Sequence, residues 1–135
     1  MITGRCQCAA VCYEVSGDLV EFSHCHCSIC RRIHSAPFVT WGGVLRDEFT
    51  VTAGEDNLAV YAFSDRADSV FCKTCSSTVF VDFKTEPDRL YITLGTVDGD
   101  IDCPDGFHIF VRNKAPWYEI GDDLPRHDGW NEEPA

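Results

Sequence analysis

The stretch Phe71–Phe83, FCKTCSSTVFVDF, decides the fold. A Cys-x-x-Cys pair beside a βαβ pattern reads as a thioredoxin-like redox centre, whereas the same spacing among strands reads as half of a metal site. Here the Cys72–Cys75 knuckle runs into STVFVDF, rich in Val, Thr and Phe as strands are. Segments of the same kind recur at VCYEV (11–15), FVTWGGVL (38–45), FTVTAG (49–54), LAVYAF (58–63), RLYITLGTV (89–97) and FHIFVR (107–112), with turn signals between them. The best helical candidate is a turn or two around Ser28–His34. The pattern predicts an all-β fold of two facing sheets and a single domain over residues 1–135. Its closing tail, about 121–135, is too polar and Pro-rich to pack extensively.

A chain of 135 residues with 44% hydrophobic content suits one globular domain. The formal charge of −11 is spread along the sequence. Such a surface repels phosphate backbones and argues against nucleic acid as a partner. No apolar run approaches the roughly 20 residues that a membrane span requires. The opening MITGRCQCAA has no signal-peptide pattern, so a cytoplasmic location is expected. Nothing in the composition speaks to oligomeric state.

Nine cysteines, an odd number, in a chain expected to stay reduced argue for metal rather than a disulfide framework. Zinc takes four soft or borderline ligands in a tetrahedron, usually as two close pairs from separate parts of a fold. Cys6 and Cys8, at i and i+2 of an extended chain, point to one side and form one pair. Cys72 and Cys75 form the other. The four predict a structural zinc site that ties the N-terminal segment to the distant knuckle.

Cys25, Cys27 and Cys30 in HCHCSICRR (24–32) remain as a trio. Three protein ligands and one open position is the arrangement of a catalytic zinc. Zinc with three thiolates carries a net charge of −1, so it is a poor activator of water and better suited to holding an incoming thiol as thiolate. A fourth ligand from His24, His26, His34, Cys12 or Cys103 would instead close the site into a second structural clip. Spacing alone leaves open which cysteines share an ion. An enzyme with two zinc ions per chain and a non-catalytic, zinc-stapled binding module are thus the rival readings.

These motifs resemble those of the glutathione-dependent formaldehyde-activating enzymes and their centromere-protein-V-type relatives. The resemblance runs through GRCQCAAVCYEVSG (4–17), SHCHCSICRRIHSAPFVTW (23–41), FCKTCSSTVFV (71–81), LGTVD (94–98) and HIFVRNKAPWYEI (108–120). It implies a β-tent of small antiparallel sheets stapled by zinc. Cys6, Cys8, Cys72 and Cys75 would hold the structural ion, and Cys25, Cys27 and Cys30 the catalytic one. The implied activity is that of a carbon–sulfur lyase resembling S-(hydroxymethyl)glutathione synthase, with glutathione or a similar thiol and formaldehyde or another small aldehyde as partners. Two positions depart from the family pattern. Cys12 stands where arginine is common, and Ser76 stands where glycine is common after the knuckle.

Around the trio, Arg31 and Arg32 are candidates to receive the carboxylates of a glutathione-like substrate, or else to balance thiolate charge. His34 is a candidate proton shuttle or sulfur hydrogen-bond donor, against the plainer role of a hydrogen-bonded structural histidine. Trp117, in a loop stiffened by Pro116, could border a ligand pocket. His108 is expected to serve packing or the surface, and His127 to be solvated.

Overall fold

β-branched and aromatic residues set the strands, and burial follows their two-residue period, as in the inside–outside alternation of Ile2–Arg5. The computed structural model describes residues 1–131. In chain order the elements are β1 (Ile2–Arg5), β2 (Cys12–Val15), β3 (Glu21–Cys25), α1 (Ser28–His34), β4 (Val39–Leu45), β5 (Phe49–Ala53), β6 (Leu58–Ser64), β7 (Ala67–Cys72), β8 (Thr78–Phe83), β9 (Arg89–Thr93) and β10 (Gly106–Ile109). Short 3-10 turns occupy 46–48, 55–57, 94–96 and 111–113. The all-β class holds, with α1 where a helical turn was expected. No helix among the described residues is long and apolar enough to cross a membrane.

Two expected strands stop early, each for a local reason. The 89–97 run ends at Thr93, whose hydroxyl donates to the Thr78 carbonyl (2.7 Å) before a 3-10 turn begins. The 107–112 run ends at Ile109 because Phe110 is left-handed (φ 55°), which breaks the alternation expected of His108, Phe110 and Arg112. β1, β3 and β7 had no hydrophobic signature in the sequence. Their buried positions include Ser23, Cys25, Ser69 and Cys72, which no apolar pattern reveals.

The chain forms two compact units, residues 1–20 with 42–102, and residues 21–41 with 103 onward. In the first unit β1, β2 and β5 make one sheet, in the order β1-β2-β5. Strands β6 to β9 follow one another as an antiparallel meander. Tyr13, Val11, Val15, Val44, Val79, Leu90 and Ile92 fill the core of this unit. Each such side chain contributes about 1.5–3 kcal/mol by leaving water. Cys6 and Cys72 belong to the same cluster.

In the second unit β10 lies parallel to β3, pairing Gly106 with Phe22 and Ile109 with Cys25. This pair departs from the expected antiparallel sheets. The long chain between the two strands removes any need for a tight hairpin. Of the polar tail expected at about 121–135, residues 132–135 lie outside the described residues; residues 121–131 keep most side chains exposed, yet their backbone lines β10. His108 N–H donates to the Pro125 carbonyl (2.8 Å), and His127 N–H donates to the His108 carbonyl (3.0 Å).

Gly54 supplies a sharp test of the first unit. Its φ is +76°, and a Cβ there would stand 2.0 Å from the Ala10 carbonyl oxygen. Gly54→Ala should therefore destabilise the protein by about 2 kcal/mol or more, seen as a lower urea midpoint with an unchanged slope. Gly95, with nothing within 4 Å of its added Cβ, is the control. Gly95→Ala should move stability by less than about 0.5 kcal/mol.

Candidate metal centres

β1 delivers the first pair of cysteines into a turn. Cys6 N–H donates to the Val11 carbonyl (3.0 Å), and Ala9 N–H to the Cys6 carbonyl (3.1 Å). β7 ends on Cys72 and opens a matching turn, with Ser76 N–H donating to the Cys72 carbonyl (2.9 Å). Each turn places a left-handed residue directly after its second cysteine, Ala9 at φ 65° and Ser76 at φ 69°. Gln7 N–H donates to the Ser77 hydroxyl (3.0 Å) and joins the two turns.

The four sulfurs, Cys6, Cys8, Cys72 and Cys75, all lie within 4.8 Å of one another. Cys8 Sγ stands 3.7 Å from Cys6 Sγ and 3.8 Å from Cys72 Sγ. Sulfurs about 2.3 Å from a tetrahedral ion are about 3.8 Å apart, whereas a cystine needs about 2.05 Å. The donor set fits a tetrahedral metal and not a pair of disulfides. Polar hydrogens already face these sulfurs: Val11 N–H on Cys6 (3.3 Å) and the Asn57 amide on Cys72 (3.3 Å). The Ser77 hydroxyl and its backbone N–H hold the Cys75 thiol down to about 5.

In the second unit Cys25 closes β3, Cys27 caps α1, and Cys30 sits in the first turn of that helix. Cys27 Sγ accepts from Cys30 N–H (3.2 Å), the position a Ser or Asp oxygen usually takes at a helix N-terminus. The three sulfurs lie within 4.8 Å of one another. Among the described residues no other His, Cys, Asp or Glu donor joins them. Hydrogen bonds from the Cys25 and Cys30 thiols, with the N–H groups of Cys30 and Ile29, hold Cys27 down at about 3. Its bond to Cys27 pushes the Cys25 thiol up to about 12, and Cys30 is raised by the same sharing. Without a metal the trio is thus one thiolate served by two thiols. Cys12 donates to the Ala9 carbonyl (3.5 Å), and Cys103 is exposed; neither reaches a cluster.

The histidines do other work. His24 Nδ1 meets the Thr40 hydroxyl (2.8 Å). His26 is fully buried, with Nε2 2.8 Å from His108 Nδ1, and its ring packs on His108 and Phe38. Burial above all lowers His26 to about 4, so its ring is neutral. His108, 2% exposed, continues to the Asp122 carboxylate at 3.0 Å. Sequence reasoning passed over Asp122. The available signal was an Asx turn, now visible as Leu124 N–H donating to Asp122 Oδ1 (3.0 Å).

The candidate substrate residues divide. Arg31 is half-buried, and its Nε is shut from solvent with no hydrogen-bond partner among the described residues, whereas Arg32 is exposed. His34 ends α1 against Trp41; burial lowers its pKa while the Cys27 charge raises it, which places it in the field of that sulfur. Trp117 is 69% exposed.

Known proteins are similar to this chain. The pattern that defines the glutathione-dependent formaldehyde-activating enzyme matches residues 1–113, a span that holds all seven clustered cysteines. An uncharacterized lyase of Schizosaccharomyces pombe is 23% identical over 117 residues, which are 87% of this chain and 83% of that protein. The crystal structure of a Rhodobacter sphaeroides protein matches with a TM-score of 0.62 at 26% identity, over 73% of this chain and 89% of the other. With 113 of its 135 residues matched, the chain belongs to the glutathione-dependent formaldehyde-activating enzyme family.

Proposed function

We propose that this protein is a zinc-dependent carbon–sulfur lyase that joins a thiol such as glutathione to formaldehyde or another small aldehyde, and releases the aldehyde in reverse. The observation that carries this reading is the inequality of the two sulfur groups, four donors in one and three in the other. The family and the relative named a lyase support it. On this reading Cys6, Cys8, Cys72 and Cys75 hold a structural zinc, and Cys25, Cys27 and Cys30 a catalytic one. The reduced thiols fit work in the cytoplasm.

A zinc ion in the trio supplies a soft Lewis acid able to keep a sulfhydryl ligand ionised at neutral pH. The reaction forms a bond from the thiol sulfur to the aldehyde carbon, and the thiol proton ends on the new hydroxyl. Arg31 is suited to orient the thiol compound. Arg31 follows Cys30 directly in the chain, and a guanidinium receives a carboxylate bidentately. Arg32, exposed, adds charge but little geometry. His34, whose burial favours the neutral imidazole and which feels the Cys27 charge, is the candidate to take the thiol proton and return it. Trp117 offers an open aromatic face as a wall for the ligand.

Three outcomes test this. Zinc analysis should give two ions per chain, and titration of the loaded protein with glutathione should add one sulfur neighbour to zinc by X-ray absorption. A binding module would add none. Cys27→Ser should stay folded with one zinc and no thiol binding, while Cys72→Ser should lose stability and solubility because it opens the tie between distant segments. Equal collapse of both variants would contradict the division of roles. The third outcome concerns protons. The empty trio holds two that a metal must displace, so its zinc affinity should rise ~100-fold per pH unit near neutrality. Chelator competition at pH 6.5 and 7.5, with the four-cysteine group already filled, reads that slope. A flat response removes the proposed proton sharing.

A further inference from the structure

The buried histidines of the second unit form a chain with one open end. Asp122 Oδ1 and Oδ2 both lie 3.0 Å from His108 Nε2. A carboxylate only accepts, so a neutral His108 carries its proton on Nε2 and presents a lone pair at Nδ1. His26 Nε2, 2.8 Å from that lone pair, must then donate. His26 is left with a lone pair on Nδ1, buried and without a hydrogen-bond partner among the described residues. An unpartnered buried acceptor costs stability, so packing alone does not explain why an imidazole stands here. What holds it is the directed bond to His108. The backbone is held as well, since His26 N–H donates to the Ile109 carbonyl (3.0 Å).

The neighbours of His26 in the chain are Cys25 and Cys27. We propose that Asp122 is a positioning residue for the three-cysteine group: through His108 it clamps the His26 ring, and with it the Cys25–Cys27 segment, in the orientation that lets three sulfurs share one ion. The proposal rests on the reading that this group holds zinc. Asp122 lies beyond the 1–113 span of the family pattern, so the anchor comes from a part of this chain outside that pattern. Its side chain is 46% exposed, which makes it a mild place to substitute.

Asp122→Asn keeps the shape and removes one of the two acceptors that face His108. Leu124 N–H already donates to Oδ1, so the amide oxygen stays there, still within reach of His108 Nε2, and the amide nitrogen replaces the second oxygen. An N–H set against His108 Nε2–H weakens the hold on that tautomer and with it the bond to His26. The aspartate of a Ser-His-Asp triad fixes its histidine by the same logic.

Nitrogen-15 NMR of the imidazoles reads these tautomers, and competition of the zinc-loaded protein with a chromophoric chelator reads the two affinities. In the wild type both rings should be protonated on Nε2, and Asp122→Asn should reduce that preference. In Asp122→Asn and Asp122→Ala one zinc should be bound ~10- to 100-fold more weakly. The other should be unchanged, and neither substitution should alter the remaining zinc of Cys27→Ser. Unchanged affinities, equal weakening of both ions, or a wild-type His26 protonated on Nδ1 overturn the proposal. A wild type that takes up only one ion overturns the functional reading together with it. Two ions with unaffected variants overturn the positioning role alone.

Discussion

Four thiols drawn to within a few ångströms repel one another once they ionise, and a cation is what reconciles them. In this protein that constraint reaches far beyond the sulfurs. Cys8 and Cys72 are 64 positions apart, so their approach closes most of the first unit into a loop, at an entropic cost that grows only slowly with length. Cys6 and Cys72 are also members of the buried cluster built on Val11, Tyr13, Val79 and Ile92. Core and candidate metal site are therefore one construction. The strands place the sulfurs, and the sulfurs fix which strand ends meet.

The three-cysteine group is built by different means. α1 has seven residues and no buried side chain, far short of the ~12–15 residues at which a helix becomes marginally stable alone. It depends on its cap, and its cap is Cys27, a donor in the trio. The backbone N–H groups that steady the helix also favour the thiolate form of that sulfur. Helix order and sulfur charge support each other, which is why a site with one donor fewer can still be organised. The Asp122–His108–His26 chain supplies the remaining restraint from β10.

The class and both cysteine groups were legible because their signals are local. A knuckle, an i,i+2 pair and β-branched runs each announce themselves within ten residues. β3 and β7 were not, since their inward positions include Ser23, Cys25, Ser69 and Cys72, which carry no hydrophobic period. The parallel pairing of β10 with β3 was out of reach for a different reason. Register between segments 84 residues apart is set by three-dimensional packing and leaves no trace in spacing. Ser76 is an intermediate case. Its φ of 69° is one that favours glycine, yet the sequence alone offered only a serine after the knuckle.

Charge adds a last constraint on what the trio can serve. A chain of net charge −11 repels an anionic thiol compound at long range, so recognition has to be local. Arg31 and Arg32 follow Cys30 directly, but adjacency in sequence hides a difference in chemistry. Arg32 is exposed and trades water for ligand with little net gain, whereas Arg31 is half-buried and has less water to give up. On the proposed function, selectivity would therefore favour ligands that carry a carboxylate at a fixed distance from their sulfur. Smaller, neutral thiols would satisfy the sulfur preference of the trio and leave Arg31 unpaired.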